Sequence, residues 1–176
     1  AGETVGEYVI DAKYTANTNY NVTVNKGKLT ITDADFDVEL VEDYTDEYTL
    51  VLVYTNSNAT FTYDSAAMYK LTSTTYKYND ETEYTNVFGL VVKGAADETK
   101  VAAVAGTPAG TLDCSTLDVN REVGVNFSDA VAVQAVLNGI ESYMTNYMDI
   151  VLKADVNHDK VVNIDDVGLI MTEVLK

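Results

Sequence analysis

Two stretches of the chain carry oxygen-bearing side chains at a spacing suited to a hard cation. Asp155 to Asp166 reads DVNHDKVVNIDD, and Asp118 to Asp129 reads DVNREVGVNFSD. Each has Asp, Asn or Glu at its first, third, fifth, ninth and twelfth places. Calcium takes six to eight oxygens in flexible geometry, and a loop with donors at alternate places curls around it. In the second copy the expected ligands are Asp155, Asn157, Asp159, Asn163 and Asp166, with the backbone carbonyl of Val161 at the seventh place. In the first they are Asp118, Asn120, Glu122, Asn126 and Asp129, with the carbonyl of Gly124. A single D-x-N-x-D is common in turns. Two copies with the same donor places, each running into a helical pattern, indicate an internal duplication and predict two calcium ions.

The elements that must hold these loops follow from periodicity. Ser128 to Ile140 reads as a helix, with Val133, Val136, Leu137 and Ile140 on one face and Asn138-Gly139 at its end. Glu141 to Lys153 reads as a second helix, on the four-residue spacing of Tyr143, Tyr147 and Val151 and of Met144 and Met148. Asp165 to Leu175 reads as a third, with Val167, Ile170, Met171 and Val174 apolar. A flexible linker, and no entering helix, is expected before Asp118. EF-hand loops place Gly at the sixth position for a sharp turn, where this chain has Val123 and Lys160. Gly124, one place later, is expected to take up the bend in the first loop. The long Glu122 also departs from the usual Asp, so the first site is expected to be the weaker.

From Glu7 to Val104 the pattern is that of strands. Runs of β-branched and aromatic residues (among them Tyr20 to Asn25, Phe36 to Val41, Tyr48 to Tyr54, Thr74 to Tyr78 and Val87 to Val92) are punctuated by Gly, Asn, Asp and Ser. Short strands at regular spacing predict an antiparallel β-sandwich. The small-residue stretch Ala105 to Thr111 holds the one Pro and predicts a boundary. The expected organisation is therefore two domains: a β-sandwich over 1–107, a linker over 108–112, and a small all-α module with its calcium loops and three helices over 113–176.

With 47% hydrophobic residues there is material for a packed core, and the net charge of −17 disfavours nucleic acid and anionic membranes. No apolar run approaches the ~20 residues of a membrane span, so membrane insertion is not expected. The patterned start without a signal peptide suggests a piece of a longer protein, with its targeting signals elsewhere. Tyr is abundant at 13 residues, and Tyr-rich strands form either a sugar-stacking platform or cross-strand packing, the latter being favoured. Cys114 and His158 have no nucleophile–base pattern around them, so no enzyme is expected.

Two resemblances sharpen this reading. Val5 to Thr32 (VGEYVIDAKYTANTNYNVTVNKGKLTIT) resembles part of the MBG/YDG-type bacterial immunoglobulin-like repeat, which implies surface stalks and adhesins. Leu117 to Lys176, with duplicated DVN-starting loops ending in N-x-x-D, resembles the dockerin module of cellulosomes and related extracellular assemblies. That resemblance implies two F-hand calcium loops and three helices, binding to a cohesin module on a bacterial scaffold or cell-surface protein, and places the β region where X-modules stand in X-module–dockerin pairs. It also implies a secreted or surface-associated, extracellular location and a link to polysaccharide degradation. The residues it assigns to the partner surface are Phe127-Ser128 with Gln134-Ala135, and Ile164-Asp165 with Met171-Thr172. The two sets differ chemically, which implies one binding orientation with Phe127 or Ile164 as apolar anchor. The alternative is a carbohydrate-binding or adhesin-type β domain tethered by the calcium module.

Overall fold

Strand Tyr48–Thr55 (β4) is buried at every one of its eight positions, so both of its faces need a cover. It lies inside a five-stranded sheet. Its neighbours are Phe36–Thr45 (β3) on one side and Asn86–Lys93 (β8) on the other, both antiparallel. Beyond β8 come Tyr69–Thr72 (β7) and then Thr111–Asp113 (β10), which pairs with β7 in parallel. Alternation divides the apolar side chains between the two faces. Val51, Val53, Phe88 and Leu90 meet Phe61, Tyr63 and Val101 of a three-stranded sheet. That sheet is built from Thr60–Tyr63 (β5), Ala66–Ala67 (β6) and Val101–Val104 (β9). Leu50, Leu52, Tyr54, Val87 and Val91 form the other face, and three helices close over it. These are Phe127–Leu137 (α1), Met148–Lys153 (α2) and Ile164–Val174 (α3).

This is a computed structural model that describes residues 6–11, 23, 26–31, 35–122, 124–140 and 147–176. The chain divides into two compact units, Ala1–Ala34 and Asp35–Lys176. The first contains an antiparallel pair, Gly6–Ile10 (β1) with Gly27–Ile31 (β2), and a Lys26–Asp11 ion pair at 2.8 Å. The strand expected at Tyr20 to Asn25 lies outside the described residues but for Thr23, as do Tyr143 and Met144.

The expected fold class, a β-sandwich followed by a separate all-α dockerin domain, is corrected by these observations. The described residues form a β-rich mixed fold of three sheets and three short helices. Helix α2 has six residues, too few to bury a core of its own. Val133, Val136, Ile150, Val151, Leu152 and Ile170 instead share one core with Leu50, Leu52 and Tyr54 of the sheet. Residues 108–112, expected as a linker, run into the sheet. The Ala109 amide donates to the Met68 carbonyl at 2.9 Å, and the Lys70 amide donates to the Gly110 carbonyl at 2.9 Å. The expected strand at Thr74 to Tyr78 is irregular apart from a bridge at Tyr78. Gly89 shows how closely the helices approach: a Cβ there would stand 3.0 Å from Leu71 Cδ1 and 3.2 Å from Leu152 Cδ2.

Tyr44 joins the layers. A register shift between Val41 and Thr45 marks an irregularity of β3 at this point. Its phenol, fully buried, donates to the Val151 carbonyl at 2.7 Å. Its own carbonyl accepts from the Val162 amide at 2.9 Å.

Two outcomes are expected. Leu152→Ala removes a contact between helix and sheet and lowers stability by about 2–5 kcal/mol. Circular dichroism of helix and sheet then loses signal in one shared transition; two separated transitions would contradict the shared core. Cys114 is buried, and burial pushes its thiol up to about 11. Iodoacetamide at pH 8 therefore leaves it unlabelled in the folded chain and labels it in denaturant.

Candidate metal centre

The two loops fold alike, and their hydrogen bonds show it place by place. At the twelfth place, Asp129 Oδ1 accepts from the amides of Val119 at 2.8 Å and Asn120 at 3.0 Å, and Oδ2 accepts from Asn126 at 2.9 Å. In the second copy Asp166 Oδ1 accepts from Val156 at 2.9 Å and Asn157 at 3.3 Å, and Oδ2 accepts from Asn163 at 2.8 Å. At the third place Asn120 and Asn157 each accept from the amide two residues on, at 3.0 and 2.9 Å. At the ninth place Asn126 and Asn163 cap α1 and α3. Their side chains accept from Ser128 at 2.8 Å and Asp165 at 2.7 Å, and the twelfth-place acid completes a capping box in each. Arg121 and His158, both at the fourth place, take φ of 59° and 58°.

The bends differ. Lys160 holds the sixth place with φ 71°, where EF-hand loops use Gly. In the first loop Gly124 turns at the seventh place with φ 73°, and Val123 lies outside the described residues.

The first-place acids differ more. Asp118 Oδ1 is buried and, among the described residues, has no hydrogen-bond partner. Asp155 is almost fully buried, and its Oδ2 accepts from the Lys160 amide at 2.8 Å and from the Tyr76 phenol at 2.6 Å. Burial pushes the Asp155 carboxyl above the usual carboxylate range, although these bonds oppose it. Burial pushes Asp166 up to about 6. Both shifts express the cost of holding carboxylates together away from water, which a bound cation relieves. Among the described residues no group of three His, Cys, Asp or Glu is gathered as a metal site. The donors here are mixed, with Asn amides and carbonyls beside the acids, and calcium accepts such a set.

The sheet reaches the second loop at several points that the sequence did not reveal. Lys160 Nζ, on a nearly buried side chain, bonds to Glu39 and to Asp80 at 2.7 Å each and to the Lys77 carbonyl at 2.9 Å. Burial lowers its pKa, but Asp80 and Glu39 outweigh this and the net direction is up. His158, at a place in the loop that supplies no ligand, also meets the segment that holds Tyr76. It is half-buried beside the Tyr76 ring at 5.3 Å, with Thr75 Oγ1 3.2 Å from Nδ1. The first loop is tied to α2 by Arg121 to Asp149 at 2.7 Å.

The expected partner residues separate by burial. Phe127 (55% exposed) and Ile164 (65%) stand out on the surface, as do Gln134, Asp165 and Thr172. Ser128 is half-buried, Ala135 is buried, and Met171 packs against the core. Val131 and Leu169, also exposed, were missed; the four-residue step from Phe127 to Val131 was the available signal for the first. No described helix is long and apolar enough to cross a membrane. No family model, curated protein or solved structure matches the chain.

Proposed function

We propose that this chain is a non-catalytic assembly module in which two calcium ions order the paired loops and the outer faces of α1 and α3 bind a cohesin module of a scaffold or cell-surface protein outside the cell. The observation that carries the reading is the buried, unpartnered Oδ1 of Asp118 at the first ligand place of a loop whose bonding otherwise repeats that of its twin. A buried oxygen left without a donor costs free energy, and a cation at the loop centre supplies what is missing.

Asp118, Asn120, Glu122 and Asp129 would hold one ion with the Gly124 carbonyl, and Asp155, Asn157, Asp159 and Asp166 the other with the Val161 carbonyl. Asn126 and Asn163 accept amide protons as helix caps, so their part fits a water-mediated contact. Calcium supplies charge neutralisation. The chain supplies donor order, through the Asx-type bonds, and couples it to the start of each helix. Phe127 and Ile164 are the exposed apolar side chains at those starts, so metal-ordered loops present the anchors.

Calorimetry is expected to show two calcium ions per chain, with Asp118→Ala and Asp155→Ala each removing one. Chelation is expected to lower the melting of helix and sheet signals together, because they share a core; absence of calcium uptake at millimolar concentration would sink the reading. A cohesin pull-down is expected to succeed in calcium and fail in chelator. Within it, either Phe127→Ala or Ile164→Ala weakens binding by about 2 kcal/mol or more and the other does so much less. Equal, small losses from both would argue against one orientation.

A further inference from the structure

We infer that the five-stranded sheet and its adjoining loops form the outer sphere of the second metal loop, with Tyr76 and Lys160 as positioning residues that make it the tighter of the two sites. The inference rests on the calcium reading above and concerns what sets affinity within it.

The argument begins with the first ligand place. Asp155 is held at Oδ2 by the Tyr76 phenol at 2.6 Å, and Tyr76 is itself buried. In the first loop the equivalent acid has an oxygen with no donor. Hydrogen-bonded partners behind a ligand fix its orientation before the metal arrives and reduce the ordering that binding requires. One loop therefore has a braced first ligand, and its twin has one with a loose end.

The sixth place makes the same distinction. A side-chain-bearing residue at φ 71° is strained, and Lys160 sits there in the second loop. Its ammonium is anchored to Glu39 on β3 and to Asp80 in the segment after β7, so contacts outside the loop hold the bend. The Lys160 amide, presented by that bend, is the other donor to Asp155 Oδ2 at 2.8 Å. Tyr76 and Lys160 thus converge on one carboxylate oxygen from opposite sides of the loop–sheet contact. The Val162 amide, bonded to the Tyr44 carbonyl at 2.9 Å, pins the loop four places before its end. By linkage, whatever these contacts add to calcium affinity, calcium returns as stability of the same contacts.

Calcium titration of the full chain by calorimetry, with thermal melts in calcium and in chelator, tests this. Two events are expected, assigned by Asp118→Ala and Asp155→Ala, with the event lost in Asp155→Ala the tighter. Tyr76→Phe is expected to weaken that event about tenfold or more and leave the other within twofold. It also reduces the rise in melting temperature that calcium produces. Lys160→Met keeps the buried stem, removes the ammonium and is expected to weaken the same event; it decides the matter where Tyr76→Phe fails to fold. A variant that shifts neither affinity beyond twofold, or both alike, overturns the inference and leaves the calcium reading standing. A wild-type chain that takes up no calcium removes both.

Discussion

The unit from Asp35 to Lys176 depends on one constraint, the two-sided burial of β4. A strand apolar on both faces has no stable place at a surface. One face is covered by β5 and β9, the other by the described helices α1, α2 and α3. The helices need the sheet as much as the sheet needs them, so the paired loops that open α1 and α3 are fastened to a β scaffold through their neighbours. The loops inherit rigid surroundings that a free-standing helical module would have to supply from within.

Against this background the duplicated loops are alike in backbone and unlike in environment. Both carry the same capping boxes and the same left-handed turn at the fourth place. One faces the sheet and receives Tyr76, Tyr44 and the acids that hold Lys160. The other leans on α2 through Arg121. The symmetry of a repeat lies in its short-range hydrogen bonds, and the asymmetry lies in what each copy is packed against.

The division between what could and could not be read in the sequence follows the same line. Donor spacing exposed the loops, because alternate polar places leave a local imprint. The starts of α1 and α3 fell within a residue of expectation, because the apolar period of each helix is a local signal that begins there. The separate helical domain was wrongly expected, because the change of period near residue 105 marks a change of element and says nothing about who shares the core. Strand β10 has three residues, too few for a pattern, and its parallel partner lies far back in the chain. Thr74 to Tyr78 alternates like a strand yet is not one: Tyr76 turns to Asp155 and the Lys77 carbonyl accepts from Lys160. Those bonds span 79 and 83 positions, beyond the reach of any local signal.

The ends of the five-stranded sheet carry a last consequence. One border is β3, which bears Asp37, Glu39, Glu42 and Asp43; the other is β10, with three residues. A sheet border offers its backbone groups to a neighbour, and β3 already spends one of them, the Tyr44 carbonyl, on the Val162 amide. Here one border carries the exposed acids Glu42 and Asp43, which disfavour a like-charged strand, and the other is too short to template one. A chain rich in tyrosine and valine strands thus gives its five-stranded sheet borders that are poor templates for a further strand.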